Sequence, residues 1–309
     1  MVIMFNIKTV KSLFCTSFRP ALQTTGWLLR IMLPISFSVC LLQYYGVIAW
    51  CAQWLGPLFC HIGLPGASSI AFLTGATATT YAALAVMMTM ELTMRQATII
   101  SIMVLICHAL PLECTVNKKV GSKPIRMAVL RILGALLAAF YLHLLLPEMS
   151  EPFAAIHQVA DDPLLSSVLL GWLLSSLKLV VTIFLIIYLL MVLQRLMEHY
   201  GLMQKFTRPL MPLMSVFGLP RNAVYLWLVG NILGISYGSA VMLQLEEEGK
   251  ISREEANEVN YHLIMNHSML EDTLVFATAG ISALWILTTR LLFAMLLVWG
   301  RKAVKHIVK

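Results

Sequence analysis

The stretch Asn266-His267-Ser268-Met269-Leu270-Glu271-Asp272-Thr273 sets a dense polar cluster in front of an apolar run that continues to Gly300. It has a partner upstream. His108-Ala109-Leu110-Pro111-Leu112-Glu113-Cys114-Thr115 repeats the order His, then Leu-Glu-x-Thr, after an apolar approach through Ile99, Ile100, Ile102 and Val104. Each cluster follows a Gly-Leu-Pro turn, Gly63-Leu64-Pro65 and Gly218-Leu219-Pro220. Ionisable side chains within apolar segments are costly and face a partner or a cavity. Two such clusters imply a duplicated membrane protein whose polar residues converge between its halves.

Composition sets the same scene. With 309 residues, 59% of them hydrophobic and 12% charged, and a mean hydropathy of +0.82, the chain has too little polar surface to cover a soluble globule. Crossing about 30 Å of hydrocarbon takes roughly 20 residues of helix. Apolar runs near that length lie at Trp27–Cys51, Met127–Leu146, Leu179–Leu193 and Ile281–Trp299, and two more, Ala67–Met90 and Ala223–Leu245, are rich in Gly, Ser and Thr. The net charge of +7 does not point to nucleic acid, because the basic residues form short clusters beside apolar segments rather than one patch. The six cysteines have no CxxC spacing and read as reduced packing residues. Residues 1–25 lack a cleavage signal and read as a cytoplasmic or interfacial lead-in to a retained helix.

The halves align on a register. Gly26-Trp27-Leu28-Leu29 recurs as Gly171-Trp172-Leu173-Leu174. Pro57-Leu58, Gly63-Leu64-Pro65 and Ala85-Val86-Met87 recur as Pro212-Leu213, Gly218-Leu219-Pro220 and Ala240-Val241-Met242, all three at an offset of 155 residues. Several matches on one register make duplication the simplest reading.

Lys and Arg concentrate in four places: Lys8 to Arg30, the 117–126 loop, the 195–221 region and the tail from Arg301. These are expected to be cytoplasmic, and the acidic 148–163 connection external. The first half then crosses an even number of times between Arg30 and Lys118, yet offers three apolar segments. Ala67–Met90, entered through Gly63-Leu64-Pro65-Gly66 and interrupted by Gly75, Thr77, Thr79 and Thr80, is the segment expected to be re-entrant or broken. Ala223–Leu245 is expected to be the same from the opposite side. Crossings are expected at about 27–51, 97–116 and 126–147, and the second half begins outside, inverted. Inverted repeats with a broken element in corresponding positions are the architecture of secondary transporters. Lys178, inside the Leu164–Leu193 run, is expected to snorkel outward.

Several elements could carry chemistry. Pro65 and Pro220 sit where a helix can begin without stranding an amide hydrogen. Gly230, Gly234 and Gly238, with Gly75, Thr79 and Ala83 opposite them in the repeat, make a small-residue stripe for close packing. Asn231, Ser236 and Tyr237, with Thr77, Thr80 and Tyr81 in the first half, offer donors and acceptors near the break. On a helix His267 and Glu271 share a face, as do His262 and Asn266. Histidine and carboxylate can ligate a metal, hold a proton or hydrogen-bond an organic solute. The Glu246–Glu258 loop reads as a solvated helix start with Ser252-Arg253-Glu254-Glu255 as a capping box. No GxxxxGK[ST] loop and no HExxH motif occur.

The run Gly63-Leu64-Pro65-Gly66, Tyr81-Ala82-Ala83, His108-Ala109-Leu110-Pro111-Leu112-Glu113 and Lys119-Val120-Gly121 resembles the nucleoside-recognition or "gate" domain of bacterial membrane proteins. That family includes spore maturation proteins A and B and the membrane portion of ferrous-iron permeases, and is related by name to concentrative nucleoside transporters. Gly218 to Thr273 looks like a second copy, so that the resemblance covers roughly residues 27–300. It implies membrane transport or gating, with nucleosides as the namesake ligand and ferrous iron in one branch. The GTPase domain of the full iron permease is not expected before these helices, and Asp272 stands where the first copy has Cys114, so the site need not be symmetric.

The expectation is therefore an all-α polytopic protein of the cytoplasmic membrane, both termini cytoplasmic, with two inverted gate-like repeats. Each repeat has about three spanning helices and one re-entrant or broken segment. The divisions are a lead-in 1–25, a first repeat 26–147, an external acidic linker 148–163, a second repeat 164–300 and a basic tail 301–309. The expected function is a secondary transporter or gate for a small polar solute, nucleoside-like or a cation, working by alternating access. The rival readings are a divalent-metal permease, with Cys107 and Cys114 supplying thiols, and a non-transporting membrane scaffold. An enzyme is not expected, because no nucleophile-base set is identifiable, and no cofactor is expected. Expected binding residues are His108, Glu113, Asn266, His267, Glu271, Asp272, Tyr81, Asn231, Ser236 and Tyr237, without a resident metal. Gly63, Pro65, Gly218 and Pro220 are the expected hinge. Lipid and the solute are the expected partners, nucleic acid is not, and a homo-oligomer is left open.

Overall fold

A computed structural model describes residues 7–77, 79–153 and 164–307. Among them the chain is all helix, apart from an isolated bridge between Thr93 and Pro152. The first seven helices are α1 (Ile7–Tyr44), α2 (Val47–Cys60), α3 (Ser68–Thr77), α4 (Thr80–Met87), α5 (Met94–Ile106), α6 (Leu110–Lys119) and α7 (Pro124–Leu145). After the linker follow α8 (Leu165–His199), α9 (Leu202–Val216), a 3-10 turn (Arg221–Ala223), α10 (Val224–Leu233), α11 (Ile235–Glu247), α12 (Arg253–Asn266), α13 (Met269–Thr278) and α14 (Ala283–Ile307). Long and short helices come in the same order twice.

Two helices, α7 and α14, are long and apolar enough to cross a membrane by length and composition. They turn apolar side chains outward, Ile125, Leu133, Leu137 and Leu144 on α7 and Leu284, Leu296 and Val304 on α14. The 35-residue α8 does the same with Leu170, Leu173, Leu177, Val181, Leu185 and Leu189. A continuous outward apolar face of this extent has no place in water and fits lipid. The interior is formed by α5, whose residues Ala97–Ile106 are all buried, by α4, buried throughout, and by the second half of α12 from Val259 to Asn266.

Expected breaks and observed breaks differ in instructive ways. The Ala67–Met90 segment does break near Gly75–Thr80, giving α3 and α4 packed against each other, and Ala223–Leu245 breaks at Gly234, giving α10 and α11. Trp27–Cys51 is not one helix. α1 starts at Ile7, so no structural boundary falls at residue 25, and it ends at Tyr44 before Gly46, whose φ of 71° turns the chain into α2. The 97–116 crossing is also two helices, parted at Cys107-His108-Ala109. The boundary expected at residue 300 lies inside α14. Lys178 is exposed on α8. Of the acidic linker, residues 154–163 lie outside the described residues; 149–153 fold back on the start of α5, where Met94 N–H donates to Glu151 O (2.7 Å) and Phe153 N–H to Leu92 O (2.9 Å).

The two broken pairs, α5–α6 and α12–α13, run antiparallel. Gly121, just past α6, lies against the Arg253 side chain that opens α12, and Ser122 Oγ donates to Asn257 (2.7 Å). At the other end Gly280, just past α13, lies against Met94 at the start of α5. Small residues let each hairpin approach its neighbours. A Cβ on Gly75 would stand 2.8 Å from Val104 Cγ1, one on Gly230 would stand 2.5 Å from Leu263 Cδ1, and one on Gly238 would stand 3.1 Å from the Gly230 Cα. The stripe read from the sequence is a packing surface.

Candidate functional site

Both polar clusters sit at helix breaks in the interior rather than at helix ends in solvent. Ala109 and Ser268, the residues that begin α6 and α13, adopt the left-handed conformation at φ 45° and 52°, alone among described residues other than glycine. Each turns its N–H back to a hairpin glycine, Ala109 to Gly75 O (2.9 Å) and Ser268 to Gly230 O (3.1 Å). The two breaks are thus the same construction, each bonded to the hairpin of its own half. That construction puts His108 and His267, the residues just before them, side by side.

The histidines meet at 3.1 Å between their Nε2 atoms. Glu113, in the first turn of α6, places Oε1 3.0 Å from each Nε2. Its Oε2 pairs with the Arg131 guanidinium from α7. Arg131 is fully buried, Glu113 and His267 nearly so, and His108 is 7% exposed. On the far side of each ring, Nδ1 faces backbone carbonyls: His108 towards Val104 O (3.3 Å) and Leu105 O (3.2 Å), His267 towards Leu263 O (2.8 Å). A carbonyl can only accept, so Nδ1 carries hydrogen in both rings. In its neutral form each ring turns an Nε2 lone pair towards the other and towards the carboxylate.

A second ion pair mirrors the first. Arg290 on α14 is fully buried and binds Asp272 Oδ2 (3.0 Å), with Nε donating to Met265 O (3.1 Å) and Nη2 to His267 O (2.6 Å). Arg131 likewise sends Nε to Ile106 O (2.7 Å). His108, Glu113 and Arg131 correspond one to one with His267, Asp272 and Arg290. This corrects the register read from the Leu-Glu-x-Thr order, which had paired Glu113 with Glu271 and set Asp272 opposite Cys114. Nor do His267 and Glu271 share a helix face, since Ser268 interrupts the helix between them. Glu271 instead accepts a hydrogen bond from the Tyr81 hydroxyl of α4 (2.5 Å), which ties the first hairpin to the second cluster.

The remaining expected residues fall around this centre or outside it. Asn266 is buried on the last turn of α12, its Oδ1 3.1 Å from His262 Nδ1, and Trp227 Nε1 donates to that same nitrogen (3.2 Å). Asn231 is buried on α10 and donates to Trp227 O (2.9 Å). Ser236 and Tyr237 belong to α11, but their side chains lie outside the described residues. The hinge residues pack on helix ends: a Cβ on Gly63 would strike His143 in the last turn of α7, and one on Gly218 would press on Val298 and Trp299 of α14. Pro65 and Pro220 each accept a turn hydrogen bond, from Ser68 and Ala223. Buried polar atoms without a partner among the described residues include Arg131 Nη2, Asn231 Oδ1, Asn266 Nδ2 and Thr273 Oγ1.

Sequence reasoning missed both arginines. Each had a signal: a lone positive charge in the middle of an otherwise apolar spanning run, in both halves, 159 residues apart. It also counted Cys107 and Cys114 among metal candidates. Cys107 is buried and Cys114 Sγ points at Pro124 O (3.5 Å), and neither thiol belongs to the group of donor atoms, His108, Glu113 and His267, that lie within 4.8 Å of one another.

The fold and this centre describe a helical protein with outward apolar faces suited to a membrane and a buried charged core. Residues 26–123 match the model of the Gate family, described as nucleoside recognition, so the resemblance read from the sequence is shown over that range. The matched range contains His108 and Glu113 and ends before the second cluster. The chain is also similar to an uncharacterized membrane protein, YvoD of Bacillus subtilis (strain 168), with 28% identity over 292 residues that cover 93% of each chain. No solved structure matches it.

Proposed function

We propose that this protein is a membrane transporter or gate for a small solute, built from two inverted gate-like repeats that meet at the histidine pair. The observation that carries the reading is the contact itself: two buried histidines, one from each half and each at a helix break, share one carboxylate. A purely structural bundle gains little from burying such a group, since paired interior charges rarely add stability over apolar packing. Broken helices at depth are instead where transporters expose backbone and charge to a solute.

Several features support the inverted arrangement. The antiparallel course of α5–α6 and α12–α13 is one. The gathering of basic clusters is another, since Lys305 and Lys302 of the tail pair with Glu254 and Glu258 of α12 beside the 120–123 turn. Asn222 joins that end through Glu255 (3.3 Å) and Lys250 O (3.4 Å), which closes the base of the α10–α11 hairpin. In this reading that end is cytoplasmic, residues 148–153 are external, and each hairpin enters from its own side. That the Bacillus subtilis relative is a membrane protein agrees with a place in the bilayer. No part of the reading requires an enzyme.

Two solute classes each have an observation. The family description and the unpartnered buried donors and acceptors support a polar organic solute such as a nucleoside. The histidine and carboxylate donors support a cation. The test is uptake into proteoliposomes of uridine and, separately, of Co²⁺, by the wild type and by Glu113→Gln. Uptake of either probe, lost in the variant, supports the reading. Uptake of neither would return the chain to the membrane scaffold, and uptake untouched by the substitution would remove the centre from the path.

A further inference from the structure

The three atoms that face one another at the centre are all lone-pair donors. With each Nδ1–H committed to a carbonyl, the neutral rings turn the Nε2 lone pairs of His108 and His267 to a carboxylate oxygen, the three atoms standing 3.0, 3.0 and 3.1 Å apart. Such a group repels itself unless a positive charge is shared among its members. The spacing also fits one kind of ion. Imidazole nitrogen and carboxylate oxygen bind first-row divalent ions at about 2.1 Å, and ligands at right angles on one face of an octahedral ion lie about 3.0 Å from each other. We propose that His108, His267 and Glu113 form a facial two-histidine, one-carboxylate site for a divalent transition-metal ion, and that this ion is the solute the protein handles.

This rests on reading the centre as the solute site of a transporter. The surroundings are those of ligands held in place. Each imidazole is oriented by its Nδ1–H bond to a backbone carbonyl, and the carboxylate by Arg131 on its other oxygen, the outer contacts that fix tautomer and aim in metal centres. The charges permit it as well: in their ionised forms Glu113, Glu271 and Asp272 outnumber Arg131 and Arg290 by one, so a divalent ion changes the sign of the buried charge without enlarging it. Two imidazoles and a carboxylate, with no thiolate, suit Mn²⁺, Fe²⁺, Co²⁺ or Zn²⁺ better than the softer Cu⁺ or the oxygen-seeking Ca²⁺ and Mg²⁺. Because the ligands come from both helix breaks, the ion would join the two halves.

The test uses the full chain in nanodiscs, titrated with Co²⁺, whose visible absorption reports its ligands, while X-ray absorption on the wild type counts bound imidazoles. The expected result is one Co²⁺ per chain with two imidazoles, weakened at least tenfold in His267→Gln and about 10- to 100-fold in Arg131→Gln, which keeps all three ligands but takes away the carboxylate's outer partner. The double variant Cys107→Ser, Cys114→Ser should bind as the wild type does. If a variant does not fold, the imidazole count on the wild type decides alone. A centre that takes up only a proton shows no Co²⁺ binding and overturns the proposal, as does binding unchanged in His267→Gln or a site with fewer than two imidazoles. Uptake separates this from the transporter reading. Co²⁺ bound by the triad with neither Co²⁺ nor uridine carried would sink the transporter, and with it the ion as solute, and leave the site; uridine carried by a protein that binds no Co²⁺ would do the reverse.

Discussion

At the scale of single residues, the centre depends on partners that cannot be removed one at a time. Glu113→Gln leaves Arg131 buried without its counter-charge, and breaking such a pair costs about 3–5 kcal/mol. A marked fall of the thermal midpoint in detergent is therefore expected, and Glu113→Gln combined with Arg131→Met should recover much of it. Equal midpoints for the single and double variants would mean that the pair is not desolvated as the structure has it. Glu271→Gln is expected to be milder, because an amide oxygen still accepts from Tyr81. Ala109 holds a left-handed conformation that costs a residue with a Cβ about 1–3 kcal/mol. Ala109→Gly should thus be neutral or stabilising, and Ala109→Val should lower the midpoint sharply; the same midpoint measurement decides both. These positions also mark the limit of what the sequence told. His108, Glu113 and His267 were legible as ionisable groups in apolar surroundings, but the turns beside them were not, since alanine and serine carry none of the signature that glycine gives a left-handed residue. With the turns hidden, Glu271 rather than Asp272 looked like the partner of Glu113.

At the scale of elements, the breaks that could be read were those punctuated by Gly and Thr, between α3 and α4 and between α10 and α11, where small residues serve both to stop a helix and to admit a neighbour. A hydrophobic run says nothing of where within it a helix stops unless such a residue is present, which is why 97–116 read as one crossing; in Trp27–Cys51 the signal was there in Gly46, but a lone glycine in an apolar run was read through. Close packing makes the hairpins sensitive to volume. Gly238→Val places side-chain carbons against the Gly230 backbone, and overpacking of this kind costs about 1–3 kcal/mol. Its midpoint should drop by several degrees, whereas Gly26→Val, whose added Cβ has nothing within 4 Å, should not change it. The capping box that opens α12 was legible and is present, with Ser252 Oγ accepting from Glu255 N–H (3.2 Å) and Ser252 N–H donating to Glu255 (2.8 Å). That backbone N–H, with smaller help from the Ser252 hydroxyl and Asn222, holds the Glu255 carboxyl below its ordinary range. A depressed carboxyl stabilises above its unfolded pKa and loses that contribution as pH falls through its folded pKa. Ser252→Ala should cost about 1 kcal/mol near neutral pH and less in acid, a difference that midpoints taken at both pH values would show.

At the scale of the whole molecule, the proposed sidedness puts Ser122 and Lys305 on one face and Glu148 on the other. Single cysteines at Lys123 and Glu148, both exposed, in a background lacking the native six, should label from opposite sides of sealed vesicles. Labelling from the same side would end the inverted-repeat reading. The repeated order of long and short helices had a trace in the sequence, because turns and glycines recur on one offset. Its purpose left none, because the arginines that make two ion pairs of it lie inside spans that hydropathy scores as uniformly apolar.

The two arginines are not held alike. Arg290 grips Asp272, Met265 O and His267 O, while Arg131, for all its bonds to Glu113 and Ile106 O, leaves one Nη2 without a partner among the described residues. The break that carries His267 is braced on three sides, and the break that carries His108 on two. Two of the three donor groups, His108 and Glu113, belong to the less braced break. The proposed metal site would therefore draw its donors unevenly, two from the less braced break and one from the firmer, and its affinity should follow the order of the first half more closely than that of the second.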